Sequence, residues 1–227
     1  MKKALTLVVL IVTPSIIFAQ GTVVIGNQTG LVQRWTSAYD SSLAPVSVGG
    51  GYVQLIATTK GNPLLHPLGV YEGSSGFLPG YSSLTGFLAA NPGWVVPVDI
   101  KDRFWPALAP VAIHSAPGIF NGGSAGILNI GPGADADYVV IGWTGPYATY
   151  DAAYAADLAN PNSSFLGMSA IATTATGDMS VTLPGLPVNL RTTFPGMTLT
   201  PAVIPEPATV LLAGLGAAVL MLFRRRD

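Results

Sequence analysis

The stretch Asp137-Tyr138-Val139-Val140-Ile141-Gly142-Trp143-Thr144 is the most strand-like segment of the chain. β-Branched and aromatic residues dominate it, and these residue types favour extended backbone on a packed sheet. A short apolar run of this length, bounded by turn-forming residues, is typical of a buried strand. We therefore predict that residues 137–144 form a central strand of the fold.

Further strand-like runs lie along the chain, separated by Gly, Pro and Asn. Residues 52–59 alternate well, with Tyr52 and Ile56 on one face and Val53 and Leu55 on the other. The remaining candidates are residues 22–25, 31–38, 127–130, 168–174, 179–183 and 197–200. Many short strands with turn signals between them predict an all-β fold, a sandwich of jelly-roll or immunoglobulin-like type.

Two short helices interrupt this pattern. Residues 152–159 are rich in helix formers, Asp151 is placed to cap them, and Asn160-Pro161 ends them. A second helical turn is expected over residues 84–90, before Asn91-Pro92-Gly93. Residues 61–120 hold eight of the 19 prolines and eight glycines, so we expect a Gly/Pro-rich insertion there. Long loops in compact domains are often functional, but a Pro-braced cover over a sandwich is the simpler interpretation.

The composition excludes several classes of protein. Of 227 residues, 49% are hydrophobic and 9% charged, with a mean hydropathy of +0.50, so the chain is not wholly disordered. A net charge of −1 argues against nucleic-acid binding, which normally needs a basic stripe. The absence of cysteine removes disulfides, thiolate metal sites and a cysteine nucleophile.

The N-terminus is typical of an export signal. Lys2 and Lys3 precede a short, almost wholly apolar run over residues 4–18, and the small residue Ala19 precedes Gln20. This pattern predicts a signal peptide over residues 1–19, cleaved by signal peptidase between Ala19 and Gln20. A permanent anchor is the alternative, but the run is short for a span of about 20 residues.

The C-terminus has three consecutive parts. Pro205-Glu206-Pro207 precedes an uncharged apolar run over residues 208–223, and Arg224, Arg225 and Arg226 follow. A helix over the apolar run would be a short transmembrane helix. The three arginines should stay in the cytoplasm by the positive-inside rule, so the body between the two ends lies outside it. Hydropathy alone leaves a simple tail anchor as an alternative.

Together these parts closely resemble the PEP-CTERM sorting signal of Gram-negative bacteria, with residues 203–227 matching in order and spacing. The resemblance implies that exosortase, a membrane-embedded transpeptidase-like enzyme, recognises Pro205, Glu206 and Pro207. It also implies cleavage near them and delivery from the inner membrane to the cell surface or exopolysaccharide matrix. Such segments are sometimes named after ice-binding proteins, but the segment implies an address and not that activity.

The body, residues 20–202, carries a looser resemblance. The order of residues 21–27, 52–57, 139–143 and 162–164 is similar to that of uncharacterised exported PEP-CTERM proteins of Verrucomicrobia-like bacteria. This resemblance implies a β-sandwich body and no known activity. Residues 61–120 depart from the compact pattern.

Catalytic motifs in the body are weak. Gly122-Gly123-Ser124-Ala125-Gly126 fits the G-x-S-x-G elbow of α/β-hydrolases, but that motif requires a following helix. His66 and His114 both precede Ser124, which is the wrong order for that fold. A glycine-rich turn is therefore predicted. The pairs Asp135/Asp137 and Asp99/Asp102 lack calcium-loop spacing, and the histidines do not cluster, so we expect no metal or cofactor. Asp135, at a strand entry, is predicted to be a turn former.

The aromatic residues offer the best binding candidates. Trp35 and Trp143 fall in strands and should be core residues. Trp94, Trp105 and Tyr81 fall in the Gly/Pro-rich stretch, where exposed rings would stack on sugars or, alternatively, cover a sheet. We expect an exported, non-catalytic protein with a structural or adhesive role. A carbohydrate-binding module for exopolysaccharide and a secreted hydrolase are the alternatives.

Overall fold

The computed structural model describes residues 21–37, 40–65, 83–102, 104–160, 162–177 and 188–202. Several predictions fall outside these residues: the signal peptide with its Ala19–Gln20 cleavage site, Tyr81, the strand at 179–183, and the sorting segment 203–227. In the described part, no helix is both long enough and apolar enough to cross a bilayer.

The described residues form twelve short strands and two α-helices. In chain order the strands are β1 (Gly21–Gly26), β2 (Val32–Ser37), β3 (Asp40–Pro45), β4 (Gly51–Thr59), β5 (Val98–Asp99), β6 (Val111–Ala112), β7 (Asn121–Ile127), β8 (Asp135–Thr144), β9 (Leu166–Met168), β10 (Ala172–Ala175), β11 (Val188–Asn189) and β12 (Met197–Leu199). The helices are α1 (Leu84–Ala90) and α2 (Tyr150–Ala159). The prediction of a mostly-β fold with two short helices is confirmed.

β8 is the central strand of the largest sheet. It pairs antiparallel with β4 along its length, from Gly51 opposite Thr144 to Thr59 opposite Ala136. On its other side it pairs with β10 near its start and with β9 near its end, where Trp143 lies opposite Leu166. The prediction that residues 137–144 form a central strand is confirmed.

Two further sheets complete the β-structure. One has the order β11-β1-β7-β5, with β1 antiparallel to β7 and parallel to β11. The other has the order β12-β2-β3, with β2 parallel to β12 and antiparallel to β3. β3 was not predicted because its sequence, Asp-Ser-Ser-Leu-Ala-Pro, is polar, and its side chains are mostly exposed.

Successive side chains of β8 enter two different cores because side chains alternate between the faces of a strand. Tyr138 and Val140 join an inter-sheet core, and Val139, Ile141 and Trp143 join a helix-side core. The inter-sheet core includes Val23, Ile25, Val53, Leu55, Ala125 and Ile127, from β1, β4 and β7. The helix-side core includes Ile56, Phe87, Trp94, Tyr150 and Ala153. Both faces of the β4–β8 pair are therefore buried.

The two helices begin at side-chain caps. Ser83 Oγ accepts the Gly86 N–H at 3.0 Å, and α1 spans the predicted residues 84–90. The cap of α2 is Thr149, whose Oγ1 accepts the Ala152 N–H at 3.2 Å, so the prediction of Asp151 as cap is wrong. Asp151 lies in the first turn instead, and its Oδ1 accepts the Leu84 N–H at 2.7 Å, which joins the N-terminal ends of the two helices.

Two predicted strands are wrong in their bounds. The strand predicted at residues 127–130 is a turn after β7, which ends at Ile127. The strand predicted at residues 168–174 is divided into β9 and β10 by residues 169–171. There Ser169 Oγ accepts the Val140 N–H at 3.0 Å and donates to the Ala170 carbonyl at 2.9 Å, replacing ladder bonds.

The chain enters and leaves the described body at opposite ends of β8. At the start of β8, Gly21 donates to the Ile130 carbonyl at 2.8 Å, and Thr176 donates to Ala134. At its end, β9 pairs with Trp143, and Leu166 of β9 pairs in turn with Thr200. We call these the entry end and the exit end. A ten-residue strand spans about 30 Å, which is the approximate separation of the two ends.

Candidate functional site

The exit end holds the last described residues of the chain in regular structure. Thr200 donates its N–H to the Leu166 carbonyl at 2.9 Å and accepts the Leu166 N–H at 2.7 Å. Both residues are buried. The chain is therefore paired to the main sheet until two residues before Ala202.

A buried carboxylate then fixes Ala202 itself. Asp157 on α2 is fully buried, and its Oδ2 accepts the Ala202 N–H at 2.7 Å. Its Oδ1 accepts the Ser164 N–H at 3.4 Å, and Ser164 Oγ donates to the Thr144 carbonyl at 2.9 Å. We call Asp157, Ser164 and Ala202 the exit clamp. It connects α2, the end of β8 and the end of the described body.

Without these hydrogen bonds, the side chain of Asp157 would be in an electrostatically unfavourable position. It lies near the C-terminal end of α2, where the helix dipole disfavours negative charge, and the last turn contains no basic residue. A buried carboxylate also loses its hydration and requires hydrogen-bond donors in compensation. The two backbone N–H groups of the exit clamp supply such donors, and charge-assisted bonds of this kind are the stronger class.

Trp94 and Trp105, two of the predicted aromatic ligand contacts, differ in their exposure. Trp94 is only 2% exposed, belongs to the helix-side core and donates from Nε1 to the Pro63 carbonyl at 3.2 Å. This burial agrees with the alternative interpretation, in which the Trp94 ring covers a sheet. Trp105 is 42% exposed and has a φ of 49°, and its neighbour Phe104 is 76% exposed. As predicted for the strand tryptophans, Trp143 is fully buried, whereas Trp35 is only partly buried against the inter-sheet core.

The carboxylates of the Trp105 loop organise its backbone. Asp99 Oδ1 accepts the Lys101 N–H and Asp102 Oδ1 accepts the Phe104 N–H, both at 2.9 Å. These are local turn bonds of the kind Asp commonly makes.

Ser124 is not in a turn. It lies within β7, opposite Val24 of β1, so the predicted glycine-rich turn is wrong. Small residues are needed there by packing, since a Cβ on Gly122 would lie 2.5 Å from Val111 Cγ2. His114 is engaged elsewhere, with Nδ1 2.7 Å from Ser115 Oγ and Nε2 2.9 Å from the Asn121 carbonyl. Within the described ranges, no group of three potential metal ligands occurs.

The Asp135/Asp137 pair anchors the turn after β4. Asp135, at the first position of β8, forms an ion pair with Lys60 at 2.8 Å, and this hydrogen bond raises the pKa of the Lys60 ammonium. Asp137 is buried and accepts the Gly61 N–H at 2.7 Å as well as the Thr173 hydroxyl. Both carboxylates thus hold local structure together.

Other titratable groups are shifted by burial or local hydrogen bonds. Burial raises the pKa of the Tyr138 and Tyr150 phenols, and nearby carboxylates add to the effect. On the exposed β2–β3 hairpin, the Thr36 hydroxyl, followed by Ser42, lowers the pKa of the Asp40 carboxyl.

Comparison with known proteins identifies the segment that follows the exit clamp. Residues 203–226 match the PEP-CTERM protein-sorting motif, and the match begins directly after Ala202. The motif implies an exported protein that is sorted by exosortase and held transiently in the membrane by its C-terminal segment. The chain matches no curated protein and no solved structure. The resemblance of the body to verrucomicrobial proteins stays a prediction.

Sequence reasoning identified the sorting motif but missed Asp157. One sequence signal could have indicated it. Asp157 lies in the last turn of a short helix with no basic residue beside it, where the helix dipole disfavours a negative charge. Such a residue requires an unusual partner. That partner, Ala202, is distant in sequence and only the fold brings the two together.

Proposed function

We propose that exosortase delivers this protein to the cell surface or extracellular matrix of a Gram-negative bacterium, where its body is a structural or adhesive component without catalytic activity. The observation that carries the proposal is the PEP-CTERM motif at residues 203–226. Its position supports the proposal further, because the motif directly follows a body whose last residues are fixed by hydrogen bonds.

The use of polar side chains in the body supports the absence of catalysis. Asp137 and Asp157 are buried and accept backbone N–H groups, so their oxygens hold structure. Ser124 lies on a strand paired with β1, and His114 is bonded to Ser115 and to the Asn121 carbonyl, so the described residues do not favour a serine-hydrolase arrangement. The inter-sheet core, shared by β1, β7, β4 and β8, supports a sandwich-like body of jelly-roll or immunoglobulin-like type.

Binding to exopolysaccharide is a second candidate, favoured by the exposure of Trp105 and Phe104 on one loop. Aromatic faces stack on apolar sugar surfaces, but a platform of Trp94 with Trp105 is excluded by the burial of Trp94. The test is cosedimentation of the purified body with host exopolysaccharide, comparing the wild type with Trp105→Ala. A Leu128→Ala variant controls for loss of an exposed apolar side chain elsewhere. Equal cosedimentation of all three would remove Trp105 as a binding residue.

The sorting proposal is tested by intact mass and location of the protein in its native host. The wild type should lose residues near the Pro205-Glu206-Pro207 motif and reach the surface. A Glu206→Ala variant should keep its C-terminal segment and stay in the inner membrane. The matched control is Glu72→Ala, which alters the other glutamate of the chain outside the motif. Retention of residues 208–227 by the wild type would show that the segment is a permanent anchor.

A further inference from the structure

The distance between the folded body and the sorting motif is short. Ala202 is held by the exit clamp, Pro205 is three residues further along, and the apolar run begins at Ala208, six residues further along. An extended chain covers at most about 3.6 Å per residue, so Pro205 lies within about 11 Å of Ala202 and Ala208 within about 22 Å. These limits hold whatever conformation the intervening residues adopt.

The body surface beside the exit clamp contains an exposed apolar side chain. Leu158 follows Asp157 in the last turn of α2 and is 50% exposed, and Ala159 and Asn160 are exposed next to it. No lysine, arginine, aspartate or glutamate is among these three residues. Because these three residues include no carboxylate, anionic lipid headgroups do not repel them, and the Leu158 side chain adds apolar area at the interface.

We propose that, while the precursor is held in the membrane, the exit clamp turns this end of the body toward the bilayer. The Leu158 surface then faces the phospholipid headgroups, and exosortase reaches Pro205-Glu206-Pro207 in the gap between body and membrane. Asp157 is the positioning residue, since it fixes where the chain leaves the body. This inference rests on the sorting function proposed above.

The short connection between Ala202 and Ala208 excludes the opposite orientation, in which the entry end of the body faces the bilayer. Leu128, in the turn after β7, is 38% exposed and lies at the entry end. The entry end is about 30 Å from the exit end along β8, which exceeds the reach of the six residues before the apolar run. Leu158 therefore marks the exit end of the body and Leu128 marks the entry end. Because both are exposed leucines, labels at the two positions can be compared directly.

Single-cysteine labelling tests the orientation directly, because the chain has no cysteine of its own. Leu158→Cys and Leu128→Cys are each made in the Glu206→Ala protein that lacks the predicted leader, residues 20–227, and are labelled with the same fluorophore. The precursors are reconstituted in phosphatidylethanolamine–phosphatidylglycerol vesicles containing headgroup-spin-labelled lipid. We expect several-fold stronger quenching of the label at position 158. Equal quenching at the two positions, or stronger quenching at 128, would overturn the proposal.

Two further variants test the clamp itself. A flexible Gly/Ser insert between Ala202 and Val203 leaves the body intact and should abolish the difference between the two labels. Asp157→Ala should reduce the difference, whereas Asp151→Ala should preserve it. Asp151 is the matched control, because it lies on the same helix and accepts a backbone N–H, but that of Leu84. If Asp157→Ala does not fold, the insert still decides the question.

The outcomes separate this inference from the proposed function. A difference between the labels that persists with the insert would show that the Leu158 surface binds the bilayer by itself, which would overturn the positioning role of Asp157. A wild type that is processed and delivered while both labels are quenched equally would overturn the orientation alone. A wild type that is never processed, yet shows the quenching difference, would overturn the sorting function and leave the orientation intact.

Discussion

The side chain of Asn27 is hydrogen-bonded to the backbone of Phe120, 93 residues away in sequence. Its Oδ1 accepts the Phe120 N–H at 2.7 Å, and its Nδ2 donates to the Gly118 carbonyl at 2.8 Å and to the Gly30 carbonyl. Asn27 is 3% exposed, so these bonds are shielded from water. One amide thereby joins the end of β1 to the segment that leads into β7.

Asn27→Ala should lower the free energy of unfolding by about 2–3 kcal/mol, because it leaves several buried backbone groups without partners. The measurement is urea unfolding followed by circular dichroism. The neighbouring Gln28 is exposed, and Gln28→Ala should leave the midpoint nearly unchanged. Similar midpoints for both variants would show that the Asn27 bonds do not contribute to stability.

Gly167→Ala should destabilise the body by about 2–3 kcal/mol through overpacking. A Cβ at Gly167 would lie 2.4 Å from the Thr198 carbonyl oxygen, and backbone cannot move aside as a flexible side chain can. Gly131 is the matched control, since a Cβ there meets nothing within 4 Å. Gly131→Ala should be neutral or slightly stabilising. Thermal unfolding of the two variants checks the difference, and equal melting temperatures would contradict it.

The buried tyrosines should make stability fall at alkaline pH. Burial raises the pKa of Tyr138 and Tyr150, so the unfolded chain releases their protons first. Their contribution is complete below the ordinary tyrosine pKa of about 10 and is lost as the pH rises above it. Tyr150→Phe should make this loss shallower in urea unfolding measured as a function of pH.

At neutral pH the same Tyr150→Phe change should not destabilise the body. Within the described residues, the Tyr150 hydroxyl is buried without a hydrogen-bond partner, so its removal breaks no bond. A Thr36→Val change on the exposed β2–β3 hairpin leaves both buried tyrosines in place and should not alter the alkaline profile. A large loss of stability at neutral pH would show that the hydroxyl has a bound partner.

Trp105→Phe should remove most of the tryptophan fluorescence that acrylamide quenches efficiently. Of the four tryptophans, Trp143 and Trp94 are buried, Trp35 is partly buried and Trp105 is 42% exposed. Trp94→Phe should leave the quenchable fraction nearly unchanged. Efficient quenching that persists in Trp105→Phe would place another indole at the surface.

The parts of the fold that local signals determine were predictable from sequence. α1 has the predicted bounds because Ser83 and Asn91 cap it directly. β8 was recognised by its β-branched and aromatic residues, Tyr138-Val139-Val140-Ile141 and Trp143. The sorting motif was also recognised, because its order of parts is local. In each case the residues that decide the structure are neighbours in the chain.

Features that depend on distant partners were not predictable. β7 is built largely of Gly, Ser and Ala, and its Gly122 has no room for a side chain because Val111, from a different strand, packs against it. Trp94 and Trp105 both lie in the Gly/Pro-rich stretch, yet Trp94 is buried in the helix-side core and Trp105 is exposed. The sequence alone does not distinguish them, because the difference depends on the path of the chain over the β4–β8 pair. Asp157 acquires its role from Ala202, 45 residues away.

The entry and exit of the chain at opposite ends of β8 have a consequence for the order of events after export. A body attached to the bilayer at both Gly21 and Ala202 would have to lie flat, with the roughly 30 Å length of β8 parallel to the membrane plane. Release of the segment before Gly21 would allow it to stand upright on its exit end. Removal of the predicted leader, residues 1–19, would therefore leave the body attached to the bilayer only at its exit end when exosortase acts.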